Sequence, residues 1–515
     1  MKTNISKLLP YVAFTILLGS FLFSCKKEKS DSGPKPPTSP VQLSDADSLK
    51  YFMYRTMQVS FVNGGRDSSY DLPTYLWYSQ VPKLDPFSKT YDSAKVLLNK
   101  IKTYPINPAS SKPFDKYSFL DDGTVSGEIQ GGVAGDLGME ITKAYDKDKN
   151  IVIIVLYADK NSPSGKVGVS RGWQITSING QDVSDASISA NVNKIVQAVY
   201  NDAQSSIGFK KPDGTPASFT LAKAVYQINP ILFDSVYSVS GKNVGYFVFN
   251  TFSNIYYKGA PTLTKQEIDR VFARFKTSAI SSLIVDFRYN GGGSVNTAEY
   301  LDSLIAPTSV AGKVMYQYIY NNKLTARASE IGLEDKVLFK NGGGLQLDNV
   351  FFIGSGNTAS ASELTLNNLK PYMNVKLVGD TTYGKPVGFF TFTLSDYDAQ
   401  GKEKFLADLY AINFETRNAS NQGGYFNGLV PDALATDYVG IPWGDVKDDH
   451  LTKIFKYIST GTFGKLAPGS GSPKDRTGLI PTRTSLKPLR FNGMIDYNVS
   501  RHLQNAMGMK KKNGL

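Results

Sequence analysis

With one cysteine and two histidines in 515 residues, the chain has little from which to build a metal centre and nothing from which to form an internal disulfide. Zinc clusters draw on those two residue types, so no metal is expected. His450 sits in Gly444-Asp445-Val446-Lys447-Asp448-Asp449-His450, and His502 lies in the last stretch of the chain. Both settings read as surface positions, which argues against a Ser-His-Asp arrangement. No internal repeat is evident, and no long apolar run marks a bulk membrane protein. The net charge of +12 comes from scattered lysines and arginines, with no basic helix and no alternation of basic and aromatic residues, so nucleic acid is not an expected partner. At 41% hydrophobic and 20% charged, a chain of this length should fold as two or three units.

The first segment stands apart. Lys2 and Lys7 precede an apolar run from Val12 to Phe23 that stops at Leu22-Phe23-Ser24-Cys25, the order of an export signal over residues 1–24. The last four residues resemble the lipobox of bacterial lipoproteins, with Phe23 bulkier than usual. That resemblance implies cleavage before Cys25, diacylation of its thiol and attachment to a membrane. Lys26, rather than Asp, leans toward the outer membrane on the sorting habit of some lipoproteins; whether the periplasmic or the surface face is left open. Residues 25–42, with Pro34, Pro36, Pro37 and Pro40, read as a flexible tether.

The rest reads as an α+β multidomain chain. Apolar residues at helical spacing, Leu49-Phe52-Met53 and Ala94-Leu97-Leu98-Ile101, predict a small helical unit over 43–120. Over 121–228 the texture turns to short β-branched runs such as Ile151 to Leu156. There, Asp136-Leu137-Gly138-Met139, Ser162-Pro163-Ser164-Gly165, Gly172-Trp173-Gln174-Ile175 and Ile178-Asn179-Gly180 together resemble a PDZ domain. The resemblance implies a carboxylate-binding loop at Leu137, Gly138 and Met139, and capture of an extended peptide as an added strand. Strand and helix then alternate over 229–462, which predicts an α/β core. Residues 463–515, rich in Gly, Pro, Lys and Arg, are expected to pack loosely or extend.

With histidine and cysteine set aside, a serine activated by a lysine remains. Such a lysine needs apolar surroundings that disfavour its charge. Thr358-Ala359-Ser360-Ala361-Ser362-Glu363 follows the apolar run Val350 to Ile353, and Gly379-Asp380-Thr381-Thr382-Tyr383-Gly384-Lys385-Pro386-Val387-Gly388 comes after it. Asp286-Phe287-Arg288-Tyr289-Asn290-Gly291-Gly292-Gly293 closes another apolar strand. These segments resemble those of the carboxyl-terminal processing peptidases, or tail-specific proteases, down to the 25 positions between 360 and 385. Asn427-Gly428-Leu429-Val430-Pro431-Asp432 also resembles a strand of that family. The resemblance implies a crotonase-like core of ββα superhelix type, with Ser360 as nucleophile and Lys385 as general base. It further implies the backbone N–H groups of Gly292 and Ala361 as oxyanion hole, and supporting roles for Glu363 and Thr382. No cofactor is implied, and the partners would be protein or peptide substrates with extended C-terminal tails. Oligomeric state stays open.

One position departs from the family. Many members carry Gln four residues after the lysine, and here Phe389 stands there, so either Thr382 or Glu363 has to hold Lys385. Rival readings attach to the same residues. Ser360-Ala361-Ser362-Glu363 is also a helix capping box. Gly379 to Lys385 fits most of a phosphate-binding loop, though Pro386 replaces its Ser or Thr. A catalytically inactive peptide-binding protein of this fold is the main alternative, and a surface glycan or lipid binder, suggested by 30 tyrosines, is another.

Overall fold

Apolar residues at helical spacing become α1 (Asp45–Gln58) and α2 (Ala94–Ile101), the latter capped by the Ser93 hydroxyl, which accepts the Val96 N–H at 3.3 Å. The computed structural model describes residues 43–58, 61–62, 65–66, 72–183, 185–464, 479–486 and 493–497; the expected export signal, Cys25, the tether and His502 lie outside them. Met53 and Met57 of α1 and Leu97 and Ile101 of α2 share one hydrophobic cluster with Phe249, Phe287 and Phe389 of the core. The helical unit is therefore packed on the core, and β1 (Phe119–Asp121) pairs antiparallel with a core strand. The expected boundary at residue 120 falls inside that strand.

The β-rich unit consists of β2 (Met139–Tyr145), β3 (Ile151–Ala158), β4 (Gln174–Ile178), α3 (Asp185–Val196), β5 (Gln204–Lys210) and β6 (Pro216–Ala222). Its strands pair antiparallel in the order β6-β5-β4-β3-β2. Asn179 and Gly180, at φ 49° and 78°, make the expected tight turn after β4. The run Ile151 to Leu156 does not alternate because both faces of β3 are covered. Ile153 and Val155 join the unit's own cluster, whereas Val152, Ile154 and Leu156 pack with Val244, Ile284 and Phe351 of the core.

The core has two sheets. β7 (Ile231–Val239) and β8 (Lys242–Phe249) form a hairpin; beyond β8 the first sheet continues in parallel through β9 (Ser282–Asp286) to later strands. α4 (Leu263–Thr277) makes the crossover between β8 and β9, and buries Ile268, Val271 and Phe275. β10 (Gly292–Ser294), α5 (Val295–Ile305) and β11 (Val314–Ile319) follow. Next come β12 (Asn349–Gly354), α6 (Ala361–Leu369), β13 (Val375–Gly379), β14 (Val387–Tyr397), β15 (Glu403–Asn418), β16 (Ala433–Leu434) and α7 (Asp449–Thr460). The first sheet runs β7-β8-β9-β12-β13-β16. Every residue of α6 is buried, so this helix lies inside the molecule with its first residue deep in the core.

The last stretch corrects an expectation. β17 (Ile480–Ser485) adds to β2 of the β-rich unit, and β18 (Gly493–Asp496) is inserted between β10 and β14 in the second core sheet, ordered β10-β18-β14-β15-β11. Met494 and Ile495 are fully buried there, so these residues are not a loose tail. No helix among the described residues is long and apolar enough to cross a membrane.

Candidate active site

Ser360 stands at the turn between β12 and α6 with φ 60° and ψ −108°, a conformation that costs a non-glycine residue on the order of 1–3 kcal/mol. The turn is pinned from two sides. Ala359 donates its N–H to the Asn290 carbonyl at 3.1 Å, and the Ser360 N–H donates to Glu363 Oε2 at 2.8 Å. The Ser360 hydroxyl is buried and makes no hydrogen bond. The Ser-x-x-Glu pattern thus works as a helix start while presenting a strained serine.

Glu363 holds more than the helix end. Its Oε2 also accepts the Lys385 N–H at 2.8 Å, and its Oε1 accepts the Gly384 N–H at 2.8 Å and the Thr382 hydroxyl at 2.5 Å. One buried carboxylate therefore ties the backbone of Ser360 to that of Lys385. Burial pushes its pKa up, against the lowering effect of these donors. Thr382 Oγ1 accepts the Leu429 N–H at 2.7 Å, which leaves its own proton directed at Glu363. Of the two residues left open for holding Lys385, Glu363 takes its backbone and Thr382 fixes Glu363.

The Lys385 side chain is fully buried, with Nζ 4.0 Å from the centroid of the Phe389 ring and 5.0 Å from that of Tyr117. Its pKa falls well below the usual lysine value, chiefly through burial; Lys102 and Lys116 add to the fall, against Asp115 and Glu363. Phe389 thus supplies an apolar wall where a hydrogen-bonding side chain was expected. Tyr117 also donates its hydroxyl to the Gly384 carbonyl at 2.6 Å, and Asp115 Oδ1 fixes that turn by accepting the N–H groups of Tyr117 and Ser118. Sequence reasoning missed Tyr117 and Asp115, which come from the helical unit. After Lys385 the chain enters β14, a strand, which removes the phosphate-loop reading, since that loop opens a helix.

The glycine turn reaches the same place. Gly292 has φ 109°, and a Cβ there would lie 2.3 Å from the Gly493 carbonyl oxygen and 3.0 Å from the Ala361 nitrogen, so only glycine fits between β18 and the start of α6. The Ala361 N–H, first in α6, has no intrahelical acceptor. The Gly292 N–H, however, donates to Asn290 Oδ1 at 2.8 Å. Of the two expected oxyanion donors, the one at Gly292 is engaged internally in this conformation.

Residues 243–431 match the model of peptidase family S41. That S41 segment carries Asn290, Gly292, Ser360, Glu363, Thr382 and Lys385. Over 257 residues the chain is 25% identical to carboxy-terminal processing protease CtpB of Bacillus subtilis, in an alignment covering 49% of this chain and 46% of that protein. Over 400 residues it is 25% identical to CtpA of the same organism, covering 76% and 73%. The chain thus spans about half the length of CtpB and about three quarters of CtpA. A solved S41-type structure from Bacteroides fragilis superimposes with a TM-score of 0.57 at 20% identity, covering 83% of this chain and 100% of that one, a likeness of fold. Residues 243–431 are thus similar to peptidase family S41, the longer chain is similar at low identity to carboxy-terminal processing proteases, and its fold is mixed α/β and multidomain.

Beneath the glycine turn of the S41 segment lies a buried ion network. Arg288 reaches Asp286 Oδ2 at 2.6 Å, and both Asp437 and Asp448 at 2.9 Å. Arg171, from the β-rich unit, pairs with Asp437 at 2.5 Å, donates to the Tyr289 hydroxyl at 2.8 Å, and lies over the Trp443 ring. Burial would raise the Asp437 carboxyl, but Arg171 and Arg288 beside it bring it down to about 2. His450 belongs to this network, 1% exposed, with Nδ1 3.1 Å from Asp448 Oδ1. It is not the surface histidine expected from its charged neighbours, because Asp448 among them is turned inward to Arg288 and holds the ring.

A cleft opens above the turn, lined by Gly138, Tyr157 and Asp159 of the β-rich unit and Asn250, Tyr289 and Gly292 of the core. Gly138, from the expected carboxylate loop, and Gly292 therefore face one space. The Gly138 N–H is already donated to Asp136 Oδ1 at 2.8 Å, and a Cβ on Gly138 would sit 1.9 Å from that of Ser162. Among the described residues no group of His, Cys, Asp and Glu is arranged to hold a metal.

Proposed function

We propose that the chain is an exported, lipid-anchored serine endopeptidase of the C-terminal processing type, with Ser360 as nucleophile and Lys385 as general base. The observation that carries this reading is the Glu363 carboxylate, which joins the backbone of a strained, buried serine to that of a lysine buried against Phe389 and Tyr117. A lysine whose pKa is lowered by burial offers more of the neutral amine that a serine hydroxyl needs to lose its proton. The crotonase-like ββα description of the core agrees with its two sheets and the buried α6. The PDZ-type description of the β-rich unit agrees with its antiparallel sheet and with Gly138 lining the cleft.

The chemistry is acyl transfer. Ser360 Oγ adds to a peptide carbonyl carbon as its proton passes to Lys385 Nζ, and the Ala361 N–H donates a hydrogen bond to the developing oxyanion. Gly292 joins it once its N–H exchanges Asn290 Oδ1 for the oxyanion. The C–N bond then breaks, and the amine leaves with the proton held by Lys385. Water attacks the acyl-enzyme as its proton passes to Lys385 Nζ, and the ester C–O bond then breaks as Nζ returns that proton to Ser360 Oγ, freeing the acid product. Protein substrates with extended tails would be held by the β-rich unit.

Hydrolysis of casein by the full chain in detergent, beside Ser360→Ala, tests the proposal. Activity is expected in the parent and none above background in the variant; equal hydrolysis by both would sink it. The unpartnered Ser360 hydroxyl and the engaged Gly292 N–H favour one second reading, an inactive peptide binder of the same fold. That reading gains if the parent binds tailed peptides yet cleaves none. The anchor is tested separately: radiolabelled palmitate should enter the full chain and be absent from Cys25→Ser, and label retained by the variant rules out Cys25 as the acylated residue.

A further inference from the structure

The stretch after the core gives the β-rich unit a bound extended segment from its own chain. β17 runs antiparallel along β2, the strand that leaves the Leu137-Gly138-Met139 loop, with Ile480 opposite Tyr145, Pro481 opposite Ala144 and Ser485 opposite Thr142. As β17 advances, its partners descend toward the loop. Leu486, the next residue, packs on the unit's own hydrophobic cluster, which contains Leu137, Met139 and Ile188. An added strand with an apolar anchor at one end is how a sheet edge takes up an extended peptide.

This occupant is held weakly. β5 and β6 pair over seven residues without a slip. β17 instead loses register between Pro481 and Ser485, and Pro481 has no N–H to give to the ladder. The occupant is also an internal stretch rather than a chain end, and the Gly138 N–H is held by Asp136. What the edge selects is therefore an extended backbone with an apolar side chain as anchor, and a terminal carboxylate is not part of the contact.

We propose that residues 480–486 are an intramolecular ligand of the peptide-docking edge of β2, and that an extended substrate segment with an apolar anchor binds by displacing them. The proposal rests on the reading of the β-rich unit as the capturing element. β18, fully buried at Met494 and Ile495 in the core sheet, stays in place as the tether. So close a tether gives the displaced segment an effective concentration on the order of millimolar. An outside peptide therefore binds weakly unless its anchor is better than Leu486.

The test uses a fluorescein-labelled peptide with the sequence Leu479 to Leu486, titrated with the full chain in detergent and read by fluorescence anisotropy. Leu486→Asp, which puts a carboxylate at the apolar anchor, is expected to bind the peptide at least tenfold more tightly than the parent. Equal binding by the two overturns the proposal while leaving the capture reading intact. Absence of binding to both overturns the capture reading and the proposal with it. A second variant guards against a folding defect: Tyr145→Cys with Ile480→Cys, made in Cys25→Ser, places a disulfide across one register pair at exposed positions. Oxidation should lower peptide binding at least tenfold, with recovery in reductant. Binding unchanged by a disulfide shown to be closed by thiol titration overturns the proposal.

Discussion

Lys385→Met is expected to end hydrolysis and at the same time raise the melting temperature. Loss of a proton-accepting group that acts as a unit with the nucleophile should lower kcat by about 10^4-fold or more. The gain in stability follows from linkage. In the fold, Lys385 titrates well below its usual value, mainly because it is buried, whereas in the unfolded chain it titrates near ~10.4. Between those values the unfolded chain carries a proton that the folded chain does not, so this residue's contribution to stability rises with pH across the window and levels off above it. At neutral pH the folded chain bears a cost that methionine removes. Relief of about 1–2 kcal/mol is expected, equivalent to about 1–2 degrees in Tm for a chain of this length. Calorimetry at pH 7 and at pH 10.5 should find the difference between variant and parent shrinking at the higher pH. A lower Tm for the variant at pH 7 would contradict the burial argument. The parent's hydrolysis rate should rise with pH through the same depressed pKa, since only the neutral amine accepts the serine proton.

Glu363→Ala should act in the opposite sense on stability. The substitution leaves the N–H groups of Ser360, Gly384 and Lys385 and the Thr382 hydroxyl without their acceptor in a fully buried site. Orphaned donors of that kind should together cost about 3–5 kcal/mol. The turn that holds Ser360 at φ 60° also loses its main restraint, so kcat should fall by about 100-fold even where the variant is folded, as expected when reacting groups shift by about an ångström. Chemical denaturation and single-turnover hydrolysis at a temperature well below the variant's midpoint separate the two effects. A variant as stable as the parent would mean that the carboxylate is not the clamp it is taken to be. Thr382→Val, which deletes one of the four donors, should sit between the parent and Glu363→Ala on both measures.

The parts of the site that were legible in the sequence are those whose geometry is local. A serine before Ala-Ser-Glu starts a helix wherever it occurs, and three consecutive glycines after an apolar strand mark a turn where side chains do not fit. The positions of Ser360, Lys385 and Gly292 could be read in this way, with a family pattern to order them. What surrounds Lys385 could not. Tyr117 and Asp115 arrive from a segment far earlier in the chain, whose own pattern says only that it turns after a helix. His450 was misread for a related reason: a run of acidic residues looks solvated until Arg288, which pairs with Asp448 of that run, is placed in space. The hydrogen bond from the Gly292 N–H to Asn290 depends on a side-chain orientation that no sequence pattern specifies. The stretch after Phe463 misled through composition, since a four-residue strand flanked by Pro, Lys and Gly carries no periodicity to detect.

The placement of β18 bears on the order in which the molecule is completed. Gly292 is in register with Gly493, and the two strands at that point are parallel neighbours separated by some two hundred positions in the chain. Synthesis delivers a chain from its N-terminus, so Ser360 and Lys385 emerge well before the strand against which the glycine turn is set. A nascent or truncated chain that stops short of residue 493 has both reacting side chains but an open seam in the sheet beside them. The glycine turn beside Ser360 is thereby set only when a strand some two hundred positions later in the chain has docked against it.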